Sequence, residues 1–305
     1  MTFAPSPLST PKSTPELSIV VIIPAFNEAS SISTVLEHIP SQLPLEAPHC
    51  ISVIVVDNNS TDDTAERAGS AGALVVHEAR RGYGSACLRG IATAAMMLPK
   101  PDIVVFLDGD YSDTPEEMAA LVPPVAKGEV ELMIGSRVLG IRCGKVERGA
   151  LLPQARFGNT LATRLIAWLW GVHFTDLGPF RVITWEALEH LQMADTNFGW
   201  TVEMQIKAAL YGLRCAEVPV SYRKRVGVSK ITGTISGTIK AGTKILWTIA
   251  RFGLFHRYQR AGKTFISQRQ HFARNNLARN NNEELLLQPA NRTIVSPTSA
   301  SSMNG

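Results

Sequence analysis

Cysteine is scarce in this chain of 305 residues: Cys50, Cys87, Cys143 and Cys215 show no CxxC spacing and no accompanying histidine cluster. That argues against a disulfide framework and a zinc site, and points to reduced thiols in a cytosolic setting. A secretory signal is missing too. Residues 1–16, MTFAPSPLSTPKSTPE, hold Pro, Ser and Thr where a signal would have a charged stretch and then an apolar core. They are expected to form a disordered leader. No spanning helix is expected either, since a span needs about 20 predominantly apolar residues. The best candidate, TIKAGTKILWTIARFGLF from Thr238 to Phe255, is interrupted by Lys240, Lys244 and Arg251. Net charge is only +4, and the excess sits at the end. Residues 263–305, low in complexity, are expected to be a disordered basic tail.

The chain does carry enough apolar residues, 45%, to bury one substantial core. LSIVVII (Leu17 to Ile23) and ISVIVV (Ile51 to Val56) are continuous β-branched runs, the pattern of strands covered on both faces. Between them Ile32, Val35, Leu36 and Ile39 recur at helical spacing. The strand-helix unit repeats through ALVVHE, DIVVFL and VELMIGS, which predicts an α/β fold with an open, mostly parallel, doubly wound sheet and helices on both faces. In such sheets ligands sit beyond the carboxyl ends of the strands. The second half holds a helical stretch with Leu161, Leu165, Ile166 and Leu169, then TDLGPFRVIT, a helix from about Thr201 to Tyr211, and a short strand near Ala216 to Val220.

The polar loops all follow strands. IPAFNE places Asn27 and Glu28 after the first, where Asn27 either binds a ligand or caps the next helix. VDNNSTDDT places Asp57 after the second, where it can accept from ribose hydroxyls or a base N–H, with Ser60 or Thr61 as helix cap. EARRGYGSACLRG offers Gly82 and Gly84 beside Arg80 and Arg81, a setting that suits an anionic ligand, with a plain surface charge pair as the alternative. The fourth strand ends in FLDGDYSDTPEE. Two carboxylates, Asp108 and Asp110, together with substrate phosphate oxygens suffice for a hard divalent cation. Its acid loop is expected to face solvent, with the intervening glycine permitting a tight turn.

VVIPAFNE, IVVDNNSTDDT, RGYGSACLRG and FLDGDYSDTPEE, in this order and spacing, resemble the inverting family 2 glycosyltransferases with the GT-A fold. RVGVSKITG makes the chain similar to their dolichyl- or polyprenyl-phosphate mannose or glucose synthase branch. The resemblance spans residues 17–235 and implies transfer of a hexose from a nucleotide diphosphate sugar, with Mg²⁺ or Mn²⁺ at Asp108 and Asp110. It implies donor binding by Pro24, Ala25, Asn27, Glu28, Asp57, Gly82, Gly84 and Asp108. It assigns the acceptor phosphate to Arg137 and Arg156, with Arg225, Ser229 and Lys230 in the later basic cluster. TDLGPFR matches an acidic acceptor-side segment, with Pro179 where the family has glycine, and keeps Asp176 and Arg181. FGWTVEMQIKAA brings Glu203 toward the acceptor cleft, although Lys207 four residues on offers an ordinary helical ion pair. Where the branch has Arg five residues before the Ser of SK, this chain has Lys224, followed by Arg225.

An ionised lipid phosphate needs no general base. A hydroxyl acceptor would need one, and Asp176 or Glu203 is the candidate. The expected partners are a nucleotide diphosphate sugar, a polyprenyl phosphate or other acceptor, and a membrane surface, with no nucleic acid. The expected location is cytoplasmic, or peripheral at the cytoplasmic face of a membrane. Residues 236–262 read as an amphipathic helix with Lys240, Lys244 and Arg251 opposite Ile239, Leu246 and Ile249. It either lies on anionic headgroups or packs on the core with a solvated face. A nucleotidylyltransferase would show a glycine-rich loop after its first strand, which IPAFNE is not. A non-catalytic nucleotide-sugar binding protein would have little use for both Asp108 and Asp110.

Overall fold

The computed structural model describes residues 16–226 and 235–256, with side chains for 242–254 of the second stretch. Residues 1–15 of the expected leader, the 263–305 tail, and Ser229 and Lys230 lie outside the described residues. In chain order the elements are β1 (Leu17–Ala25), α1 (Ile32–Glu37), β2 (His49–Asp57), α2 (Thr64–Ser70), β3 (Leu74–His77), α3 (Tyr83–Ala94), β4 (Ile103–Phe106) and α4 (Met118–Ala126). There follow β5 (Leu132–Ser136), α5 (Arg137–Arg142), α6 (Pro153–Trp170), β6 (Arg181–Thr184), α7 (Trp185–Leu191), α8 (Trp200–Tyr211), β7 (Cys215–Pro219) and α9 (Ile235–His256).

The strands form one seven-stranded sheet in the order β3-β2-β1-β4-β6-β5-β7. All neighbours are parallel except at β6, which runs antiparallel to both β4 and β5. The uninterrupted apolar run of β1 is explained by cover on both faces. Ile19, Val21 and Ile23 join Ile32 and Val35 of α1 and Leu121 and Val122 of α4 in one cluster. Ile22 faces the other way, toward α3, where Gly90 approaches so closely that a Cβ there would lie 2.4 Å from the Ile22 side chain. Phe106 meets Trp200 of α8 edge-on, with ring centroids 4.7 Å apart.

This topology sends seven loops to one edge. The parallel strands β1, β2, β3, β4, β5 and β7 deliver their carboxyl ends there. The reversed β6 delivers its amino end, so that Asp176 to Phe180 arrives beside the acid loop, with Phe106 in register with Arg181. The helix expected over 236–262 begins at Ile235 and is described to His256. It packs on α6 and α8. Among the described residues no helix is long and apolar enough to cross a membrane.

Candidate active site

Two adjoining cavities lie at this edge. The first, about 290 Å³, is lined by Pro24, Ala25, Glu28, Gly82, Asp108 and Asp110 of the expected donor set. Phe26, Asn58, Arg81, Tyr83, Asn197, Phe198 and Arg225 also line it. Most of these were not picked out from the sequence. Asn58 was readable only as part of a turn, yet its side chain ties two loops together. Its Nδ2 donates to the carbonyls of Glu78 and Arg80 at 3.1 and 2.7 Å, and its Oδ1 accepts the Gly82 N–H at 2.8 Å. Arg81 lies 4.2 Å over the ring of Phe26, and no local pattern announced that stacking.

Three members of the expected donor set line neither cavity. Asn27, at φ 53°, does not cap α1. Its N–H donates to Ser60 Oγ at 2.9 Å and its Oδ1 accepts the Thr61 N–H at 2.7 Å, which locks the first two loops together. Those bonds use Ser60 as an acceptor, and α2 has Asp63 at its N-cap position instead. Asp57 is buried, and its oxygens face the Ser60 N–H and the His77 ring. Gly84 is explained by packing rather than by ligand. A Cβ there would lie 2.0 Å from the Asp195 carbonyl, so the chain must be glycine for loop 195–197 to close over α3.

The acid loop corrects two expectations. Asp110 is buried, not solvent-facing. Gly109 is not required by the turn, because a Cβ there would have its nearest neighbours at an ordinary 3.4 Å. The unusual backbone falls instead on Tyr111, at φ 60°. Asp110 Oδ1 accepts the Ser112 N–H at 2.9 Å, while Oδ2 pairs with Arg225. Asp113, which the sequence alone did not single out, completes a buried acidic group. Asp108 Oδ1 and both Asp113 oxygens are buried without a hydrogen-bond partner. Burial, and then the charge of Asp110, push the Asp108 carboxyl up to about 7. Burial followed by Asp108 and Asp110 raises Asp113 as well. Such a cluster is short of positive charge, which a cation would supply. Among the described residues no group of three or more His, Cys, Asp or Glu could hold a metal alone, so a cation here would share its shell with phosphate oxygens or water.

The second cavity, about 240 Å³, shares Tyr83, Asp108, Phe198 and Arg225 with the first. Its walls include Leu151, Leu152, Leu177, Pro179 and Ile245, with Arg137 as a cation among them. Pro179 is thus accommodated as a wall residue. Arg137 is held by Asp176: Nε donates to Oδ2 and Nη2 to Oδ1, both at 2.8 Å. The segment carrying Asp176 is pinned in turn by Glu217 of β7, Asn159 of α6 and Gln205 of α8. Burial alone would raise Asp176, but the Arg137 charge and hydrogen bonds outweigh it and hold the carboxyl below its ordinary range.

Both named bases are already engaged in the structure. Asp176 is a buried, ion-paired carboxylate that holds Arg137. Glu203 is buried and lines neither cavity; it accepts the N–H groups of Ala194 and Asp195 at 3.1 and 2.7 Å and pairs with Lys207 at 2.8 Å. Glu203→Gln is accordingly expected to lower stability by about 1–2 kcal/mol through weakened loop hydrogen bonds. It should leave the pH–rate profile in place, whereas a general base would cost about 10²–10⁴-fold; kcat against pH beside Tm checks this.

Arg156 is exposed on the first turns of α6 and lines neither cavity. Lys224 turns outward to Glu147 at 3.4 Å, while Arg225 one residue later enters the site. Arg181 is fully buried and bonds Gly178, Thr201 and Gln205, with no carboxylate partner among the described residues; burial lowers it to about 10.

Residues 20–191 match the model of the family described as glycosyl transferase family 2. An uncharacterized glycosyltransferase of Mycobacterium tuberculosis is 35% identical over 73% of this chain and 94% of its own. A dolichyl-phosphate hexose transferase of Haloferax volcanii is 30% identical over 70% of this chain and 86% of its own. An undecaprenyl-phosphate mannosyltransferase of Micrococcus luteus is 26% identical over 80% and 97%. Among solved structures, glucosyl-3-phosphoglycerate synthase of Mycobacterium tuberculosis, crystallised with Mn²⁺, uridine diphosphate and glucosyl-3-phosphoglycerate, aligns with TM-score 0.56 at 25% identity, covering 77% of this chain and 80% of that one. The seven-stranded sheet is the GT-A fold of these neighbours.

Proposed function

The chain belongs to glycosyl transferase family 2, and from that premise we propose that it moves a hexose from a nucleotide diphosphate sugar to a polyprenyl phosphate, inverting the anomeric carbon. The observation that supports the acceptor is the second cavity, where Arg137, anchored by Asp176, and Arg225 stand among largely apolar walls beside Asp108. An amphiphile with an anionic head and a hydrocarbon tail fits that lining better than a sugar hydroxyl does.

In this reading Glu28, Asn58, Arg81 and Gly82 border the donor, and Arg137 uses the guanidinium donors not committed to Asp176 to orient the acceptor phosphate. Arg225 stands where the cavities meet, between the two anions. Asp108 and Asp110 would hold Mg²⁺ or Mn²⁺; the orphaned Asp108 oxygen supports this. When bound, the cation neutralises charge on the departing diphosphate. The acceptor phosphate oxygen donates a lone pair to the anomeric carbon from the face opposite the diphosphate. The old C–O bond breaks with its electron pair staying on the diphosphate, so no proton need be removed. That is compatible with a site whose Asp176 and Glu203 are both engaged elsewhere.

The test is incubation with radiolabelled nucleotide sugars, Mg²⁺ or Mn²⁺ and a polyprenyl phosphate. Label should enter an organic-soluble, mild-acid-labile product. Label found only in water-soluble product would refute the lipid acceptor.

A further inference from the structure

The helices α6 and α9 present apolar stripes to solvent, the reverse of what a surface helix normally does. On α6, Phe157 is 72% and Trp168 80% exposed; Arg164 lies between them on the same helical face. On α9, Trp247 is 51% and Leu254 76% exposed, with Leu246 beside them. An apolar groove runs between the helices, walled by Leu165, Trp168, Leu246 and Leu254. The expected partition of α9 is therefore corrected. Leu246 faces outward, and Lys244 is drawn to Asp195 at 2.9 Å, while Ile249 and Thr248 are the residues buried against the core.

Charge on these helices is of one sign. Neither α6 nor α9 contains a single Asp or Glu, and Arg156, Arg164 and Arg251 are exposed. Arg251 lies 5.3 Å over the Trp247 ring. Exposed tryptophans, aliphatic side chains and cations without acids are the composition of a face that lies at a lipid headgroup boundary. The same two helices also reach the second cavity from their other sides, with Ala155 of α6 and Ile245 of α9 in its wall.

We propose that the joint α6–α9 face docks on an anionic lipid bilayer, with Trp168 and Trp247 at the headgroup level and Arg164 and Arg251 on lipid phosphates. This deepens the polyprenyl-phosphate reading, on which it rests for its purpose but not for its test. A bilayer docked here would bring lipid phosphates close to the helices that wall the second cavity.

The experiment is co-sedimentation of the full chain with vesicles of phosphatidylcholine alone or with phosphatidylglycerol, without donor or polyprenyl phosphate. Tryptophan quenching by brominated lipid is read in parallel. Binding is expected to phosphatidylglycerol vesicles, weakened by salt, with quenching, and reduced at least tenfold by Trp168→Glu with Trp247→Glu, a variant whose thermal midpoint should match the parent's. Donor hydrolysis should be unchanged in that variant, since neither tryptophan lines the donor cavity. Failure of the parent to sediment with the anionic vesicles would overturn the proposal. So would binding that persists in the double variant, which would place it in the basic tail. A dimer that the double variant dissolves would overturn it too, assigning the face to a second copy. None of these outcomes depends on which acceptor the enzyme uses.

Discussion

Asp110→Ala is expected to remove about 4 kcal/mol of transition-state stabilisation, roughly a thousandfold in kcat/KM, while the fold survives. The activity loss follows if Asp110 and Asp108 together hold the cation that neutralises the leaving diphosphate. Survival of the fold follows from opposing local terms. The substitution deletes the acceptor of the buried Ser112 N–H and O–H and the partner of the partly exposed Arg225; a buried donor left unmade costs about 1–3 kcal/mol and the ion pair about 1 kcal/mol. It also removes a negative charge that raises both Asp108 and Asp113, so the buried acids repel less. Measured together, kcat/KM should collapse while Tm falls by only a few degrees, the relieved repulsion offsetting part of the lost bonding. Unchanged turnover in excess Mg²⁺ would remove Asp110 from the metal role.

The same cluster sets a pH signature of the ligand-free protein. A carboxyl whose folded pKa is raised binds its proton more tightly when folded than unfolded. Its stabilising contribution is therefore complete below the unfolded value near 4 and is lost as pH rises through the folded value. For Asp108 that window runs from about 4 to about 7. Asp113, raised by burial and its two acidic neighbours, and Glu217, raised mainly by burial, act with the same sign. Asp176, held low, acts oppositely and loses its contribution only as pH falls below about 4. Tm should fall between pH 4 and 7, Asp108→Asn should flatten that fall, and divalent cation should restore Tm at the upper end.

What the sequence revealed depended on how local the cause was. The buried strands were legible because residues such as Ile19 to Ile23 meet apolar neighbours on both faces, which needs no knowledge of partners in the fold. Asp108 and Asp110 were legible because a strand end carries them to the sheet edge. The burial of Asp110 was not, since it depends on Arg223 to Val226 passing alongside: the Arg223 N–H donates to the Ser112 carbonyl, and the Val226 N–H to that of Asp110. Gly84 looked like a ligand residue because its real neighbour, Asp195, is far away in sequence. Asp176 and Glu203 looked like bases for the same reason. A carboxylate's availability is decided by distant donors, and only the fold shows that both are already engaged. The antiparallel β6 escaped notice because four residues bounded by TDLGPF and a helix carry no mark of direction. Yet that reversal is what brings Asp176 to the donor edge.

Arg137→Ala is expected to destabilise the protein by about 3–5 kcal/mol, because it strands Asp176 as an unpaired charge in a site where it is fully buried. That loss alone would abolish activity without saying anything about phosphate. The informative variant replaces both partners. With Arg137→Met and Asp176→Leu, the desolvation of two charges disappears with their attraction, and such exchanges are often neutral or stabilising by about 1–4 kcal/mol. Tm should therefore recover in the double variant. If Arg137 orients the acceptor phosphate, transfer to the lipid should stay reduced by about two orders of magnitude or more, since removing a charge-assisted hydrogen bond from a reacting group costs about 2–3 kcal/mol. Donor hydrolysis by water should be spared, because Arg137 does not line the donor cavity. Recovery of lipid transfer along with Tm would show that Arg137 serves only to neutralise Asp176, and the acceptor phosphate would then have to be sought at Arg225.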